Sequence, residues 1–568
     1  MKSNAISKSG CVALKSCVLF ISYLLFNVSV AAQPSWAKKA SKSVFALKTF
    51  KADGTLLASA NGFFVSSDGQ AVSPFAPFKG AQRAVVIDAQ GKEMAVECIL
   101  GANDTYDVVK FRVADAKSQP LAIASKRQET GSAVWMLPYR AKSVPQGVLR
   151  KAETFNDHYD YYTVALQMPD DAIGAPLMNV DGEVMGLMQQ PASVNDTLNY
   201  AVSALFADSL AINGLSMNDR TLRLTGIKKA LPAEESQALL SLYMGVSSLD
   251  SADYATLVDD FISQFPKSHD GYLYKAQLEA NAHHYAEADR LVEQAMKVTQ
   301  KADEVHYSYS RLIYQKALTH PEIAYEPWTL DFSLKEAQQA QAVNPQPIYL
   351  QQQAYVLYAL KRYADASAIY EQLFASTLRS PELFYEASRC KEMERDTLGQ
   401  LALLDSCVAQ FSRPYLKAAA PYLFARSQVH SALGQHRAAV ADLTDYEQLM
   451  SAQLTAQFYY VRFQSEVSGR LFQQALNDIR KAIEMEPHND LFYAEKASLE
   501  VRVGLYDDAI ATATEGIRIA PDHSDGYLFL GVAQCLKGQK AEGIKNLQKA
   551  KELGDPQADS LIEKYGKQ

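Results

Sequence analysis

The chain has 568 residues, 48% of them hydrophobic and 21% charged, which is an ordinary composition for a globular protein with several domains. Its formal net charge is −8, whereas proteins that bind nucleic acids without sequence preference carry an excess of basic residues. The sequence contains no phosphate-binding glycine loop, no metal-binding histidine pair and no calcium-binding acidic loop. We therefore expect no nucleic-acid partner and no metal or small-molecule cofactor.

Residues 1–32 have the pattern of an export signal. Three lysines precede an apolar run of fourteen residues from Cys17 to Val30, and Ala31 and Ala32 follow. A helix of that length spans about 21 Å, short of the roughly 30 Å hydrocarbon core of a bilayer. The pattern predicts a cleaved signal peptide, with an uncleaved anchor as the alternative. We expect the protein to be exported to the periplasm, the cell envelope or the exterior of a bacterium, with no transmembrane span after cleavage.

Cleavage after Ala32 leaves four cysteines, Cys98, Cys390, Cys407 and Cys535, which are far apart in the sequence. This spacing disfavours a disulfide framework and a structural zinc site. Cys390 and Cys407 form the one pair that could bridge in an oxidising compartment.

From Ser43 to about Ala207 the chain alternates short β-branched runs with Asp-Gly and Gln-Gly turns. The runs are Gly62–Val65, Ala84–Ile87, Val108–Val113, Ala133–Met136 and Tyr161–Leu166. Many short strands with turns at this spacing predict an all-β barrel or sandwich.

Three of these segments occur in a recognisable order: Gly62–Gly80, Asp107–Val113 and Gly174–Gly186. They resemble the catalytic landmarks of trypsin-like serine proteases of the HtrA/Deg type, and Asn199–Ser203 resembles the strand that closes their second barrel. The resemblance covers residues 42–208 and implies a double β-barrel of the chymotrypsin fold over residues 33–215.

The catalytic residues of that family do not carry over. Asp107 stands where the family has its aspartate, but Ala76 stands in place of the histidine and Ile173 in place of the nucleophilic serine. Asp171 replaces a glycine beside the oxyanion hole, where a carboxylate would repel the developing negative charge. Since a serine protease needs a hydroxyl nucleophile, an imidazole base and an oriented carboxylate, these positions predict a pseudoprotease domain without catalytic residues.

Other residues could in principle replace the missing pair. His158 is the sole histidine before His269, and its Asn-Asp-His-Tyr-Asp context favours a surface turn. Ser66, Ser67 and Ser73 flank another turn, and Ser73 with Asp107 lacks a base. A serine endopeptidase with a non-standard site stays open as an alternative.

Beyond about Pro232 the pattern becomes helical, and small residues recur every 34 positions. The three sets are Ala475, Ala509 and Gly543, then Ala482, Gly516 and Ala550, each followed by Pro487, Pro521 and Pro556. Two helices cross closely where side chains are small, and proline ends the second helix of each unit. The period therefore predicts a stack of helical hairpins.

This register resembles the tetratricopeptide repeat (TPR) family, and Asp525–Leu553 is the best-matching unit. The resemblance implies eight to nine repeats in an all-α solenoid over residues 233–568, after a linker at 216–232. Pro321 and Pro327 predict an inserted loop within residues 301–345.

The TPR resemblance also implies a concave groove that binds proteins or peptides. Its candidate partner-binding residues are Tyr460, Gln464, Ser498 and Arg502, with Tyr274 and Leu278 less directly placed. The lysine and asparagine clamp that some members use for terminal carboxylates is not apparent. The leading hypothesis is an exported, non-catalytic adaptor or scaffold. The alternatives are the serine endopeptidase and a self-associating envelope assembly protein.

Overall fold

The computed structural model describes residues 33–155, 159–191 and 198–567. They form two compact units, one ending at Leu278 and the other beginning at Glu279. The predicted signal segment and His158 lie outside the described residues. Among the helices that are described, none combines the length and apolarity needed to cross a bilayer.

The first barrel consists of six antiparallel strands that close in the order β1-β2-β3-β6-β5-β4. Their bounds are β1 Val44–Phe50, β2 Leu56–Phe64, β3 Gln70–Ser73, β4 Arg83–Ile87, β5 Glu93–Asn103 and β6 Val108–Val113. Alternate residues point inward, as the two-residue period of a strand requires. Phe45, Phe64 and Phe111 fill the interior, where the ring of Phe45 makes edge-to-face contacts with the other two.

The second barrel has the same strand number and closes in the order β10-β11-β12-β9-β8-β7. Its strands are β7 Ala133–Met136, β8 Gln146–Phe155, β9 Tyr159–Ala165, β10 Pro176–Met178, β11 Val184–Met188 and β12 Leu198–Ser203. Its interior contains Val134, Leu149, Val164 and Leu177, all fully buried. The predicted all-β double barrel is confirmed, and the segment expected to close the second barrel is β12.

An apolar layer joins the two barrels. It combines Phe63 and Val72 of the first barrel with Leu187 and Val202 of the second, and it continues into Phe206. The rings of Phe206 and Tyr159 stack with centroids 4.1 Å apart and an interplanar angle of 4°. Burial of these side chains holds the two barrels in one unit.

The segment predicted as a linker lies against the first barrel. The backbone N–H of Ile99 on β5 donates to the carbonyl of Lys228 at 2.8 Å, and the N–H of Ala230 donates to the carbonyl of Ile99 at 2.9 Å. Gly80 likewise donates to Leu224, at 2.7 Å. The first compact unit therefore extends through this segment to Leu278, whereas the boundaries expected from the sequence (33–215, 216–232 and 233–568) stay a prediction.

From residue 235 onward the described chain is helical, with nineteen helices of nine residues or more. They are α1 Glu235–Ser248, α2 Ser251–Gln264, α3 His269–Asn281, α4 Tyr285–Val298, α5 Ala302–Thr319, α6 Leu330–Val343, α7 Pro347–Ala359, α8 Tyr363–Leu373, α9 Pro381–Met393, α10 Thr397–Val408, α11 Ala420–Ala432, α12 His436–Met450, α13 Ala456–Ser468, α14 Phe472–Met485, α15 Asp490–Arg502, α16 Tyr506–Ile519, α17 Ser524–Leu536, α18 Lys540–Glu552 and α19 Ala558–Gly566. The predicted all-α region is confirmed, and the extra loop with Pro321 and Pro327 connects α5 to α6.

The small residues of the 34-residue period lie where two helices of a hairpin cross. A methyl group added to Gly531 of α17 would lie 2.8 Å from the carbonyl oxygen of Gly543 of α18, closer than any side-chain carbon approaches an oxygen. Ala475 of α14 and Ala509 of α16, at the matching positions, are fully buried. Close packing thus explains the period that the sequence displays.

Candidate functional site

Ala76 and Asp107 meet at the edge of the first barrel. Ala76 opens a short 3-10 turn, Ala76–Phe78, that follows β3, and Asp107 immediately precedes β6. The backbone N–H of Ala76 donates to Oδ1 of Asp107 at 2.6 Å. The aspartate thus accepts a hydrogen bond from the backbone of Ala76, the residue that the sequence comparison places at the histidine position of trypsin-like proteases.

Asp107 is held in an unusual environment. Its backbone has φ +49°, in the left-handed region that asparagine and aspartate tolerate better than other non-glycine residues. Burial raises the pKa of its carboxyl, although the hydrogen bond from Ala76 and the positive charge of Lys79 oppose that shift. Lys79 itself forms an ion pair with Asp104. The retained aspartate therefore acts as a backbone acceptor in this turn.

Ile173 follows a second 3-10 turn, Asp170–Ala172, that precedes β10. The N–H of Ala172 donates to the carbonyl of Pro169 at 3.0 Å within that turn. Asp171 is exposed beside it. A hydrocarbon side chain cannot attack a carbonyl, and a carboxylate beside it would destabilise an oxyanion.

Asn61 of β2 ties this loop to the first barrel, and sequence analysis did not single it out. It is 3% exposed, and its backbone N–H and side-chain Nδ2 both donate to the carbonyl of Ile173, at 2.7 and 3.1 Å. Nδ2 also donates to the carbonyl of Asp171 at 2.5 Å, and Oδ1 accepts from the N–H of Tyr139 at 2.8 Å. An asparagine inside a strand pattern, where this residue type is depleted, is the one signal that could have revealed it.

Two of the serines considered as substitute nucleophiles make hydrogen bonds within the barrel. The Ser73 hydroxyl is fully buried and donates to the carbonyl of Asn61 at 2.8 Å, so it is not paired with Asp107. The Ser66 hydroxyl donates to Asp68 and accepts from the N–H of Gln70 at 3.0 Å, and Ser67 is exposed on the turn. These serines stabilise the β2–β3 turn and its surroundings, and His158 lies outside the described residues.

The four groove residues predicted in the solenoid lie on α13 and α15. Tyr460 is half-buried, packs 5.3 Å from the ring of Phe492, and donates its hydroxyl to Glu495 at 3.1 Å. The guanidinium of Arg502 lies 5.0 Å from the ring centroid of Phe472. Gln464 is exposed and Ser498 is half-buried. A partner-binding role for these residues stays a prediction.

A row of polar pairs connects the two helices of successive hairpins, and sequence analysis missed it. The pairs are Arg426–Asp442 at 2.6 Å, Arg462–Asp478 at 2.6 Å, Lys496–Thr512 at 2.6 Å and Gln534–Asn546 at 2.7 Å. Arg462 and Asp478 are 5% and 3% exposed, so this pair is desolvated as well as bidentate. Its signal is a charged residue that recurs on the otherwise apolar side of the first helices.

Glu466 lies one turn after Arg462 and is 3% exposed. Its nearer oxygen is 3.9 Å from Arg462, and its Oε2 has no hydrogen-bond partner. Burial and the neighbouring charge of Asp478 raise the pKa of Glu466 to about 8. The folded protein therefore favours the protonated form of this carboxyl.

All four described cysteines are free thiols, Cys390 and Cys407 included, so the structure contains no disulfide between those two. The Cys407 thiol donates to the carbonyl of Pro381 at 3.2 Å. Burial raises the pKa of both thiols to about 12, which keeps them protonated at neutral pH.

Comparison with known proteins gives the following. No protein-family model matches the chain. The chain is 28% identical over 100 residues to the small glutamine-rich tetratricopeptide repeat-containing protein 2 of Saccharomyces cerevisiae, covering 17% of this chain and 29% of that protein. It is 27% identical over 99 residues to the TPR repeat-containing thioredoxin TDX of Arabidopsis thaliana, covering 17% and 26%. The chain thus spans less than a third of the length of these relatives, which confirm the predicted TPR resemblance.

Among solved structures, the chain is similar to the Rv3671c protease of M. tuberculosis. The active form is 18% identical, covers 35% of this chain and 90% of that one, and gives a TM-score of 0.28. The inactive form is 19% identical, covers 32% and 96%, and gives a TM-score of 0.26. The two closed six-stranded barrels themselves establish the fold class of the N-terminal part.

The role of Asp107 as a backbone acceptor predicts different effects for two substitutions. Asp107→Asn keeps an acceptor for the N–H of Ala76, tolerates the positive φ and removes a buried charge, so its free energy of unfolding at pH 7 should equal or exceed that of the wild type. Asp107→Ala removes the hydrogen bond to the N–H of Ala76 and should lose about 1 kcal/mol. Urea denaturation followed by tryptophan fluorescence measures both, and equal losses would contradict this role.

The environment of Glu466 predicts a pH-dependent effect of Glu466→Gln. Because the folded-state pKa of about 8 exceeds the ordinary value of 4.5, the folded protein retains a proton that the unfolded chain loses. This contribution to stability is fully present below pH 4.5 and declines as the pH rises to about 8. Glu466→Gln should therefore raise the melting temperature relative to wild type more at pH 8.5 than at pH 5.

Glu484→Gln is the matched control, because Glu484 is exposed on the neighbouring α14. Its effect on the melting temperature should be the same at both pH values. A Glu466→Gln difference that does not change between pH 5 and pH 8.5 would rule out a raised pKa at this position.

Proposed function

We propose that this protein is an exported, non-catalytic adaptor that binds other proteins through its TPR region, with the double barrel as a pseudoprotease domain. The observation that carries the proposal is the hydrogen bond that Asp107 accepts. Its carboxylate accepts from the backbone of Ala76, where an active protease needs an imidazole between the carboxylate and the nucleophile. Ile173 at the nucleophile position offers no atom that such a base could activate.

The surroundings of Ile173 support the same proposal. Its carbonyl accepts from two donors of Asn61, and Gly174 beside it has φ +83° with its backbone against Pro74. This loop is therefore held by internal hydrogen bonds in a shape without a reacting side chain. The polar groups described at this edge of the first barrel thus make hydrogen bonds within the fold.

The TPR region supports the binding half of the proposal. Relatives of this part of the chain carry the same repeat, and one is named an Hsp70-Hsp90 organizing protein, from Triticum aestivum, 30% identical over 94 residues. A repeat stack presents a row of first helices along one side, which suits an extended protein segment. We take other proteins, and not nucleic acids or cofactors, as the partners.

Labelling with a fluorophosphonate probe tests the non-catalytic half. The full mature chain should show no added mass after incubation with the probe, while an active trypsin-like protease treated in parallel should be fully labelled. The reason is that the probe requires an activated serine hydroxyl, and Ser66 and Ser73 are already hydrogen-bonded within the barrel. A stoichiometric adduct on one specific serine would establish the endopeptidase alternative instead.

Export predicts a defined start of the mature protein. Expressed from its full gene in a Gram-negative host, the chain should be recovered from the periplasmic fraction with Gln33 as its first residue, because cleavage is expected after Ala32. Intact-mass spectrometry reads this start directly. Replacing Leu24 and Leu25 by arginine, which interrupts the apolar run, should leave the unprocessed chain in the cytoplasm. An unprocessed wild-type chain in the membrane fraction would favour the anchor alternative.

A further inference from the structure

Tyrosines from three successive first helices converge on one side of the TPR region. We call the set Tyr307, Tyr314, Tyr355, Tyr358 and Tyr385 the tyrosine face. Tyr307 and Tyr314 are two turns apart on α5, Tyr355 and Tyr358 are one turn apart on α7, and Tyr385 is on α9. Such spacings place side chains on the same side of a helix. All five are half-buried, so each ring keeps an accessible part.

The helices are close enough for these side chains to interact. The rings of Tyr314 and Tyr355 are nearly parallel, with centroids 6.4 Å apart and an interplanar angle of 16°. Burial raises the pKa of both hydroxyls, and the negative charge of Glu386 on α9 raises it further. The carboxylate of Glu386 therefore lies within electrostatic range of rings from both α5 and α7.

Two arginines of the chain show how this face holds a cation. The guanidinium of Arg389 lies 5.0 Å from the ring centroid of Tyr358, donates to the Tyr358 hydroxyl at 3.3 Å and donates to Glu386 at 3.4 Å. Arg311 lies 5.6 Å from the ring centroid of Tyr307. An aromatic ring with an adjacent carboxylate is a favourable environment for a cationic side chain.

Around Tyr314 and Tyr355 the two carboxylates of α9 act together with one arginine, Arg389, whereas Arg311 lies beside Tyr307. Glu386 makes one long contact to Arg389, and burial keeps the pKa of its carboxyl raised in spite of that arginine. Glu382, one turn earlier on α9, is exposed and accepts from the Tyr422 hydroxyl at 2.8 Å. A further cation that approaches from solvent would form favourable electrostatic interactions with both carboxylates.

The charge of the whole region has the same sign. Residues 279–568 contain 38 acidic and 30 basic residues, whereas residues 1–278 contain 26 of each. The entire net charge of −8 therefore belongs to residues 279–568, where it favours the approach of a basic partner.

We propose that the tyrosine face binds an extended segment of a partner protein through its lysine or arginine side chains. The stem of the incoming side chain packs on Tyr314 and Tyr355, and its charged end reaches Glu382 and Glu386. This inference rests on the proposed adaptor function and adds the place of binding and the chemistry of the partner.

Fluorescence anisotropy with the full mature chain tests the proposal. The probe is a fluorescein-labelled peptide of four Gly-Ser-Arg repeats, and its matched control has glutamine in place of every arginine. The arginine peptide should bind at least about tenfold more tightly, because cation–π contacts and two carboxylates act together. A glutamine peptide that binds equally well would overturn the proposal, as would a Gly-Ser-Glu peptide that binds more tightly.

Substitutions on the tyrosine face test whether the peptide binds there. The double substitution Glu382→Gln and Glu386→Gln should weaken the arginine peptide about tenfold, while Glu542→Gln, an exposed charge change on α18, should stay within about twofold. Tyr355→Leu should also weaken binding, and Tyr355→Phe, which keeps the ring, should not. Equal affinity of wild type and the double glutamine variant would place the peptide elsewhere and overturn the proposal.

Thermal melting of each variant by circular dichroism separates lost binding from lost structure. The glutamine substitutions preserve side-chain shape, so they decide the question even where Tyr355→Leu lowers the melting temperature. A chain that leaves the fluorophosphonate probe unreacted and does not bind the arginine peptide would refute this inference alone. A labelled serine would instead refute the proposed adaptor function.

Discussion

The hydrogen bonds of Asn61 are the constraint on which the N-terminal unit depends. One buried side chain and its own backbone fix the carbonyls of Asp171 and Ile173 from the second barrel and the N–H of Tyr139, while the backbone carbonyl accepts from Ser73. Each of these partners is a backbone group or hydroxyl that would be costly to bury unpaired. A single strand residue thus supplies hydrogen-bond partners for the polar groups where the two barrels meet. The apolar layer around Phe63 and Leu187 excludes water from this region.

This arrangement bears on the proposal that the double barrel has no catalytic side chains. The loop that contains Ile173 is positioned by main-chain carbonyls, and Asp107 is positioned by the main-chain N–H of Ala76. Neither contact depends on an imidazole or a nucleophilic hydroxyl. Alanine at position 76 and isoleucine at position 173 therefore leave no buried side-chain donor or acceptor unpaired at these two positions.

The sequence predicts the repeating parts of this molecule and misses the parts that depend on single long-range contacts. The runs at Val108–Val113 and Ala133–Met136 are β6 and β7 as expected, because alternation over several residues is a strong local signal. The TPR region follows from a period repeated many times. Asn61 and the Arg462–Asp478 pair have no such repetition: each is one polar residue whose partner, 112 or 16 positions away, is known only once the chain has folded. The hydrogen bonds between Lys228–Ala230 and Ile99 are likewise invisible in the sequence, because they join residues about 130 positions apart.

The tyrosine face shows how the two kinds of information combine. From the sequence alone, a tyrosine on a first helix is interpreted as a packing residue, because aromatic side chains fill the space beside helix crossings throughout the repeats. Only the structure shows that Tyr314, Tyr355 and Glu386 come from three different repeats and share one surface. The polar pairs lie inside the hairpins, where Arg462 and Asp478 are desolvated and rigidly oriented, so their charges are unavailable to a partner. By contrast, Glu382 is exposed and Glu386 is half-buried, and both carboxylates lie beside tyrosine rings. A buried ion pair fixes the geometry of a hairpin. Two carboxylates whose charge is only partly compensated can instead determine which partner the repeats bind.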